Sequence, residues 1–133
     1  MTMYLLDTNT CIYIINRRPQ SIVNKIALHS PGDIKISAVS VAEMEYGASK
    51  SRAREKNRNA LKNFLSSFKI ISFDARDAEI YGIIRAELDW RGESMDRYDM
   101  QLAAQALGRN YIFITNKTKE FERIKNLNLE NWV

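Results

Sequence analysis

Three acidic residues stand beside apolar segments of the sequence. Asp7 directly follows the run YLL, Glu43 comes shortly after IKIS, and Asp99 lies in YDMQLAAQAL. Removing a carboxylate from water is costly unless a cation or hydrogen-bond donors meet it. Carboxylates that converge also repel one another, so a cation is needed to keep them ionised. Oxygen ligands of this kind suit Mg²⁺ or Mn²⁺, which can activate a water and stabilise displacement at phosphorus.

The composition removes several other chemistries. His29 is the only histidine and Cys11 the only cysteine, which disfavours a Ser-His-Asp or Cys-His catalytic set and excludes an internal disulfide. The net charge is +4, and the positive charge is concentrated between residues 50 and 62, where Glu55 is the only acid among six cations. These cations are Lys50, Arg52, Arg54, Lys56, Arg58 and Lys62. Such a block contacts phosphates or an acidic partner, or is a solvated helix face. Together with the carboxylates, it points to phosphodiester hydrolysis.

Strands and helices alternate along the chain, which predicts an α/β fold. Segments typical of strands occupy residues 3–6, 34–37, 69–73 and 111–115, and the tail 126–133 adds an edge strand. This alternation implies crossover connections and a short, mostly parallel central sheet covered by helices on both faces. With 133 residues, 45 % of them hydrophobic, the sequence suits a single domain over residues 1–133.

Capping residues predict where two of the helices begin and end. Thr8 or Asn9 is expected to cap the first helix, since both residue types accept hydrogen bonds from free backbone N–H groups. Ser40 is expected to open the third helix, and Gly47 to weaken or end it.

Polar residues from separate elements are expected to meet at one edge of the sheet. Parallel strands end at one edge, and ligands bind beyond those ends. Asp7 lies there for the first strand, Asn116 directly follows the strand at 111–115, and Glu120 lies four residues on. Each acid also has a local role open to it, as a helix cap, a helix-dipole partner or a surface charge. Several such residues at one edge nevertheless favour a shared site.

No membrane segment or secretion signal is visible. The start MTMYLLD lacks a basic region, and no apolar run approaches the roughly 20 residues of a membrane span. We therefore expect a cytoplasmic protein that does not contact a membrane.

Five motifs together resemble a known family. MYLLDTNTCIYII, ISAVSVAEMEYGA, YDMQLAAQAL, IFITNKTKEFERI and LENWV come in the order and spacing of PIN-domain ribonucleases, and more narrowly of VapC toxins. The resemblance implies a PIN-like three-layer α/β/α fold and a Mg²⁺- or Mn²⁺-dependent endoribonuclease. It also implies a homodimer, inhibition by a VapB antitoxin that enters the active-site groove, and a larger hetero-oligomer with that antitoxin. In similar VapC proteins the suggested substrate is initiator tRNA, cut in the anticodon loop.

The resemblance assigns roles to individual residues. The metal-binding acids of the family fall on Asp7 and Asp99, and its Glu after the second strand falls on Glu43. Our hypothesis is that the first two hold the metal and that Glu43 orients a water. Asn116 and Glu120 would position the metal-bound water or the scissile phosphate.

Two positions depart from the family pattern, and both concern the site. Many relatives carry Asp where Lys117 stands, so the fourth polar position falls to Glu120 or Asn116. Asp96 replaces a usual glycine, and we interpret it as a helix cap rather than a further site carboxylate. The homodimer is expected to use apolar surface on the helices at 52–68 and 75–90.

The same residues bear on three rival functions. A haloacid-dehalogenase-type phosphatase needs D-x-D-x-T, and Asn9 cannot replace the second acid, which protonates the leaving group. A phospho-acceptor module needs an acidic pair at the first strand, which Asp7 lacks. A catalytically silent RNA- or protein-binding PIN domain is disfavoured by the three acids but left open by Lys117.

Overall fold

The computed structural model describes residues 1–133 and contains one sheet of five parallel strands. The strands are β1 (Tyr4–Leu6), β2 (Ile34–Ser37), β3 (Lys69–Ile71), β4 (Ile112–Ile114) and β5 (Leu129–Glu130). Their order in the sheet is β3-β2-β1-β4-β5, and every neighbouring pair is parallel. The predicted α/β fold and the edge strand in the tail are therefore confirmed, and β1 lies at the centre.

Seven helices connect the strands. They are α1 (Thr8–Asn16), α2 (Gln20–Ala27), α3 (Ala38–Lys50), α4 (Arg54–Leu65), α5 (Ala75–Trp90), α6 (Arg97–Arg109) and α7 (Thr118–Phe121). None of these helices has the length and hydrophobicity needed to cross a membrane.

Two predictions about helix caps are wrong, and so is one of the two alternatives for Gly47. Asp7, not Thr8 or Asn9, caps α1, because its carboxylate accepts a hydrogen bond from the Thr10 backbone N–H. Ser37, not Ser40, caps α3, since its hydroxyl accepts from the Val39 N–H at 3.0 Å. Gly47 does not end α3, because the helix continues through it to Lys50. An interior glycine lowers helix propensity but does not end a helix whose other residues are packed.

Alternating side chains divide the sheet between two cores. Leu5 and Phe113 point to one face, where they pack with residues of α5 and α6. Leu6, Ile36 and Ile114 point to the other face, where they pack with residues of α1, α2 and α4. Helices cover both faces, as the sequence predicted, and the strand ends are left to carry polar residues.

Helices α5 and α6 are joined by a buried ion pair. Asp77 is 1 % exposed, and its carboxylate accepts hydrogen bonds from both terminal nitrogens of Arg109, at 2.6 and 3.1 Å. Burial alone would raise the pKa of Asp77, but the Arg109 hydrogen bonds and charge and the Asp74 backbone N–H together lower it. This pair orients α6, whose opposite end carries Asp99.

Replacing Asp77 by Asn should lower the free energy of unfolding by about 3 kcal/mol, because Arg109 loses its buried partner. Urea denaturation measures this. Glu45→Gln, which breaks an exposed 3.8 Å pair with Arg58, is the matched control and should change little.

The stabilisation by Asp77 should also depend on pH. Because the pKa of Asp77 is lowered by folding, its contribution is present at neutral pH and is lost as the pH falls below about 4. An equal difference between wild type and D77N at pH 7 and pH 3 would contradict this account.

Candidate active site

Asp7 is a buried carboxylate held in one orientation. It is 1 % exposed and directly follows the central strand. One carboxylate oxygen accepts a hydrogen bond from the Thr10 N–H at 2.7 Å, and the other accepts from the Thr115 hydroxyl at 2.7 Å. Thr115 follows β4 as Asp7 follows β1, so the two neighbouring strand ends are linked by this contact. These two donors offset part of the cost of burying the carboxylate.

Thr8 connects α1 to α3. Its hydroxyl donates to Glu43 Oε1 at 2.7 Å and lies 2.9 Å from the Ser40 hydroxyl. Glu43 lies in the second turn of α3, and this hydrogen bond holds its carboxylate beside α1. Sequence reasoning assigned Thr8 only a capping role, and the signal that it does more is its position directly after Asp7.

Asp99 is placed by the N-terminus of α6. Asp96 caps this helix, since its carboxylate accepts from the N–H groups of Tyr98 at 2.9 Å and Asp99 at 3.1 Å. The interpretation of Asp96 as a cap is therefore confirmed, but its separation from the site is wrong, because Asp96 also lines the cleft described below. The side chain of Asp99 is 15 % exposed, and its Oδ2 lies 2.7 Å from the Lys117 ammonium.

The carboxylates from three elements line one open cleft of about 350 Å³. Its lining consists of Asp7, Thr8, Asn9, Ile12, Glu43, Asp96, Asp99 and Lys117. The structure thus brings together the acids that the sequence singled out on β1, α3 and α6. It also adds Thr8 and Lys117, which sequence reasoning did not place in the site.

Asn116 and Glu120 lie outside this lining. Asn116 donates a hydrogen bond to the Tyr13 hydroxyl at 3.1 Å, and its own carbonyl oxygen is buried without a partner. Glu120 is exposed on α7, where its charge acts on Lys117. Neither residue therefore lines the cleft, and any role in the site would be indirect.

The electrostatics of the cleft favour an added cation. Burial raises the pKa of Glu43 and of Asp99, and neighbouring carboxylates raise both further. The Thr8 hydrogen bond opposes this at Glu43, and Lys117 opposes it at Asp99. Burial alone would lower the pKa of Lys117, but its hydrogen bond to Asp99 and the surrounding negative charge raise it. One ammonium is therefore insufficient to offset the acids.

The donor set fits a hard divalent cation held by few protein ligands. The cleft offers carboxylate oxygens and neither imidazole nor thiolate, which suits Mg²⁺ or Mn²⁺. No group of three or more acidic, His or Cys side chains is placed to hold a metal ion among them. Both oxygens of Asp7 already accept hydrogen bonds, and Lys117 occupies one oxygen of Asp99. A cation that takes one or two carboxylates and retains several waters satisfies these limits.

Comparisons with known proteins agree on one family. The PIN domain family model matches residues 4–127. Ribonuclease VapC2 of Rickettsia felis is 43 % identical over 131 residues, which is 98 % of each chain. The tRNA(fMet)-specific endonuclease VapC of Shigella flexneri is 38 % identical over 132 residues, or 99 % of each chain. A solved structure described as DNA-bound VapBC from Salmonella typhimurium has a TM-score of 0.94 at 36 % identity and covers 100 % of both chains.

Replacing Thr115 by Val should lower the free energy of unfolding by about 2 kcal/mol, because the buried Asp7 carboxylate loses a donor that no water replaces. Thermal and urea denaturation measure this. Thr118→Val is the matched control, since the Thr118 hydroxyl makes no contact with a carboxylate, and it should unfold like the wild type. A wild-type midpoint for T115V would show that Asp7 does not depend on Thr115.

Proposed function

The chain belongs to the PIN-domain family, and from this membership we propose that it is a VapC-type endoribonuclease toxin that hydrolyses RNA phosphodiester bonds. The observation that carries the proposal is the convergence of Asp7, Glu43 and Asp99 in one cleft at the carboxyl edge of the sheet. Full-length relatives named as VapC ribonucleases support the reaction class. Residues 1–133 would then form a single PIN domain.

In this proposal Asp7 and Asp99 hold one divalent cation, Mg²⁺ or Mn²⁺. When bound, the ion lowers the pKa of water and stabilises charge at phosphorus. Asp7 is already oriented by Thr10 and Thr115, so little ordering is left for ion binding. Glu43, aligned by Thr8, orients the attacking water. Participation of Asn116 and Glu120 in positioning that water or the phosphate stays a prediction.

The proposed substrate is a structured RNA, and specifically initiator tRNA cut in the anticodon loop. The similar Shigella flexneri protein named as tRNA(fMet)-specific supports this choice. A second cleft, of about 780 Å³ between α3 and α4, offers a place for the RNA backbone. Its cationic lining consists of Arg52, Arg54, Arg58 and Lys62. Glu45 and Glu55 are also in this lining, so cations exceed acids there by four to two.

The proposed regulatory partner is a VapB-type antitoxin. Solved VapBC assemblies contain chains that match this one over its full length, which supports the partner. A homodimer is also proposed, with larger hetero-oligomers when the antitoxin is bound. Helix α5 carries two exposed apolar side chains, Ile83 and Trp90, on the surface expected for the dimer.

Asp7→Asn and Asp99→Asn should each reduce cleavage of initiator tRNA at least about 100-fold, because each removes a charge that holds the cation. Gel assays with Mg²⁺ or Mn²⁺ measure this, and a chelator should abolish wild-type cleavage. Glu122→Gln, an exposed acid outside the cleft, is the control and should cut at the wild-type rate. If D7N and D99N cut as fast as the wild type, the assignment fails.

The same assay separates the proposal from a silent PIN domain. If the protein is a silent domain, the wild type should bind RNA or antitoxin but cleave neither tRNA nor other structured RNA, with Mg²⁺ or with Mn²⁺. Cleavage of other RNA without tRNA cleavage would contradict only the proposed substrate.

The double change Arg54→Gln with Lys62→Gln should reduce the salt dependence of RNA binding by about one to two units of slope, since fewer counterions are released. Fluorescence anisotropy with labelled tRNA and no metal measures this. Lys25→Gln on the exposed face of α2 is the control. An unchanged slope would mean that this cleft does not contact the RNA backbone.

A further inference from the structure

Lys117 is the only cation on the lining of the carboxylate cleft. Its ammonium donates to Asp99 Oδ2 at 2.7 Å and lies 5.9 Å from the centre of the Phe121 ring. The side chain of Lys117 is 34 % exposed and that of Asp99 is 15 % exposed, so the pair is partly shielded from water. Such a pair interacts more strongly than one on an open surface.

The backbone of Lys117 is fixed to the same hydrogen-bond network. Its N–H donates to the Thr115 hydroxyl at 3.0 Å, and that hydroxyl donates in turn to Asp7 Oδ2. Lys117 also precedes α7 directly. The base of the lysine is thus held beside Asp7, while its flexible stem carries the ammonium to Asp99.

The charges of the cleft limit how many ions it can hold. Four carboxylates, those of Asp7, Glu43, Asp96 and Asp99, share the lining with the Lys117 ammonium, which is a formal charge of −3 with all groups ionised. One divalent ion leaves about one negative charge, whereas a second would make the cleft positive. The Lys117 ammonium therefore supplies positive charge that a second ion would otherwise supply.

We propose that Lys117 is a tethered counter-ion that weakens divalent-metal binding and limits the cleft to one ion. This inference rests on the proposed function, because it concerns the same metal site. It identifies Lys117 as a positioning residue, since it acts through Asp99. The position that the family resemblance left without an acid then has a function of its own.

Isothermal titration with Mn²⁺ and with Mg²⁺ tests the proposal on the full-length protein. Wild type should bind one ion. Lys117→Met should bind at least about tenfold more tightly, because it removes the repulsion between the ammonium and a divalent ion in the same cleft. Lys117→Asp should bind two ions. Lys119→Met, an exposed neighbour on α7, is the matched control and should behave like the wild type.

Two further variants keep the test decisive. Lys117→Arg retains the charge and should retain the weak, single-ion binding. Lys117→Gln is neutral but can still donate to Asp99, and it replaces the methionine variant if that protein does not fold. Wild-type affinity in the folded neutral variant, or one ion in Lys117→Asp, would overturn the inference and leave the proposed function standing. Absence of metal binding by the wild type would overturn the metal-dependent function and the inference with it.

Discussion

The hydrogen bonds that hold the Asp7 carboxylate are the interactions on which the rest of the site depends. The residue is 1 % exposed at the end of the central strand, where an unpartnered charge would be very costly. Thr10 and Thr115 donate to its two oxygens and so hold it in one orientation. Because Thr115 follows β4, the same contact joins two strand ends. The hydrogen bond that offsets the cost of burying Asp7 therefore forms only when β1 and β4 are paired at the centre of the sheet.

The other acids are brought to Asp7 by separate local devices. The Thr8 hydroxyl donates a hydrogen bond to Glu43 of α3. Asp96 caps α6, and Asp99 lies in the first turn of that helix, at the cleft. The result is a concentration of negative charge that the fold alone does not neutralise, and Lys117 offsets only part of it. A site with this excess of negative charge suits the divalent cation that the proposed function assigns to it.

The sequence predicted the parts of this arrangement that depend on local pattern. Strand–helix alternation led to the parallel sheet, and the place of Asp7 after an apolar strand led to the edge where ligands bind. The contacts that complete the site depend on residues far apart in the chain. Thr115 is 108 positions from Asp7, and Lys117 is 18 positions from Asp99, so neither partner could be read from spacing.

Helix ends show the same division between local and distant causes. Ser37 and Ser40 are both good capping residues by type. Ser37 caps α3 because β2 ends at Ser37 and the helix begins at the next residue. Ser40 is buried instead against Thr8. The shift by one turn matters for the site, because it moves Glu43 out of the first turn of α3 and into contact with α1.

The most direct test of the central claim is the position of a bound ion. Crystals of the protein soaked with Mn²⁺ and measured near the manganese edge should show an anomalous peak about 2.1 Å from carboxylate oxygens of Asp7 and Asp99. The peak should vanish in crystals of Asp7→Asn. A fully occupied ion that contacts neither residue, or an unchanged peak in D7N, would contradict the account.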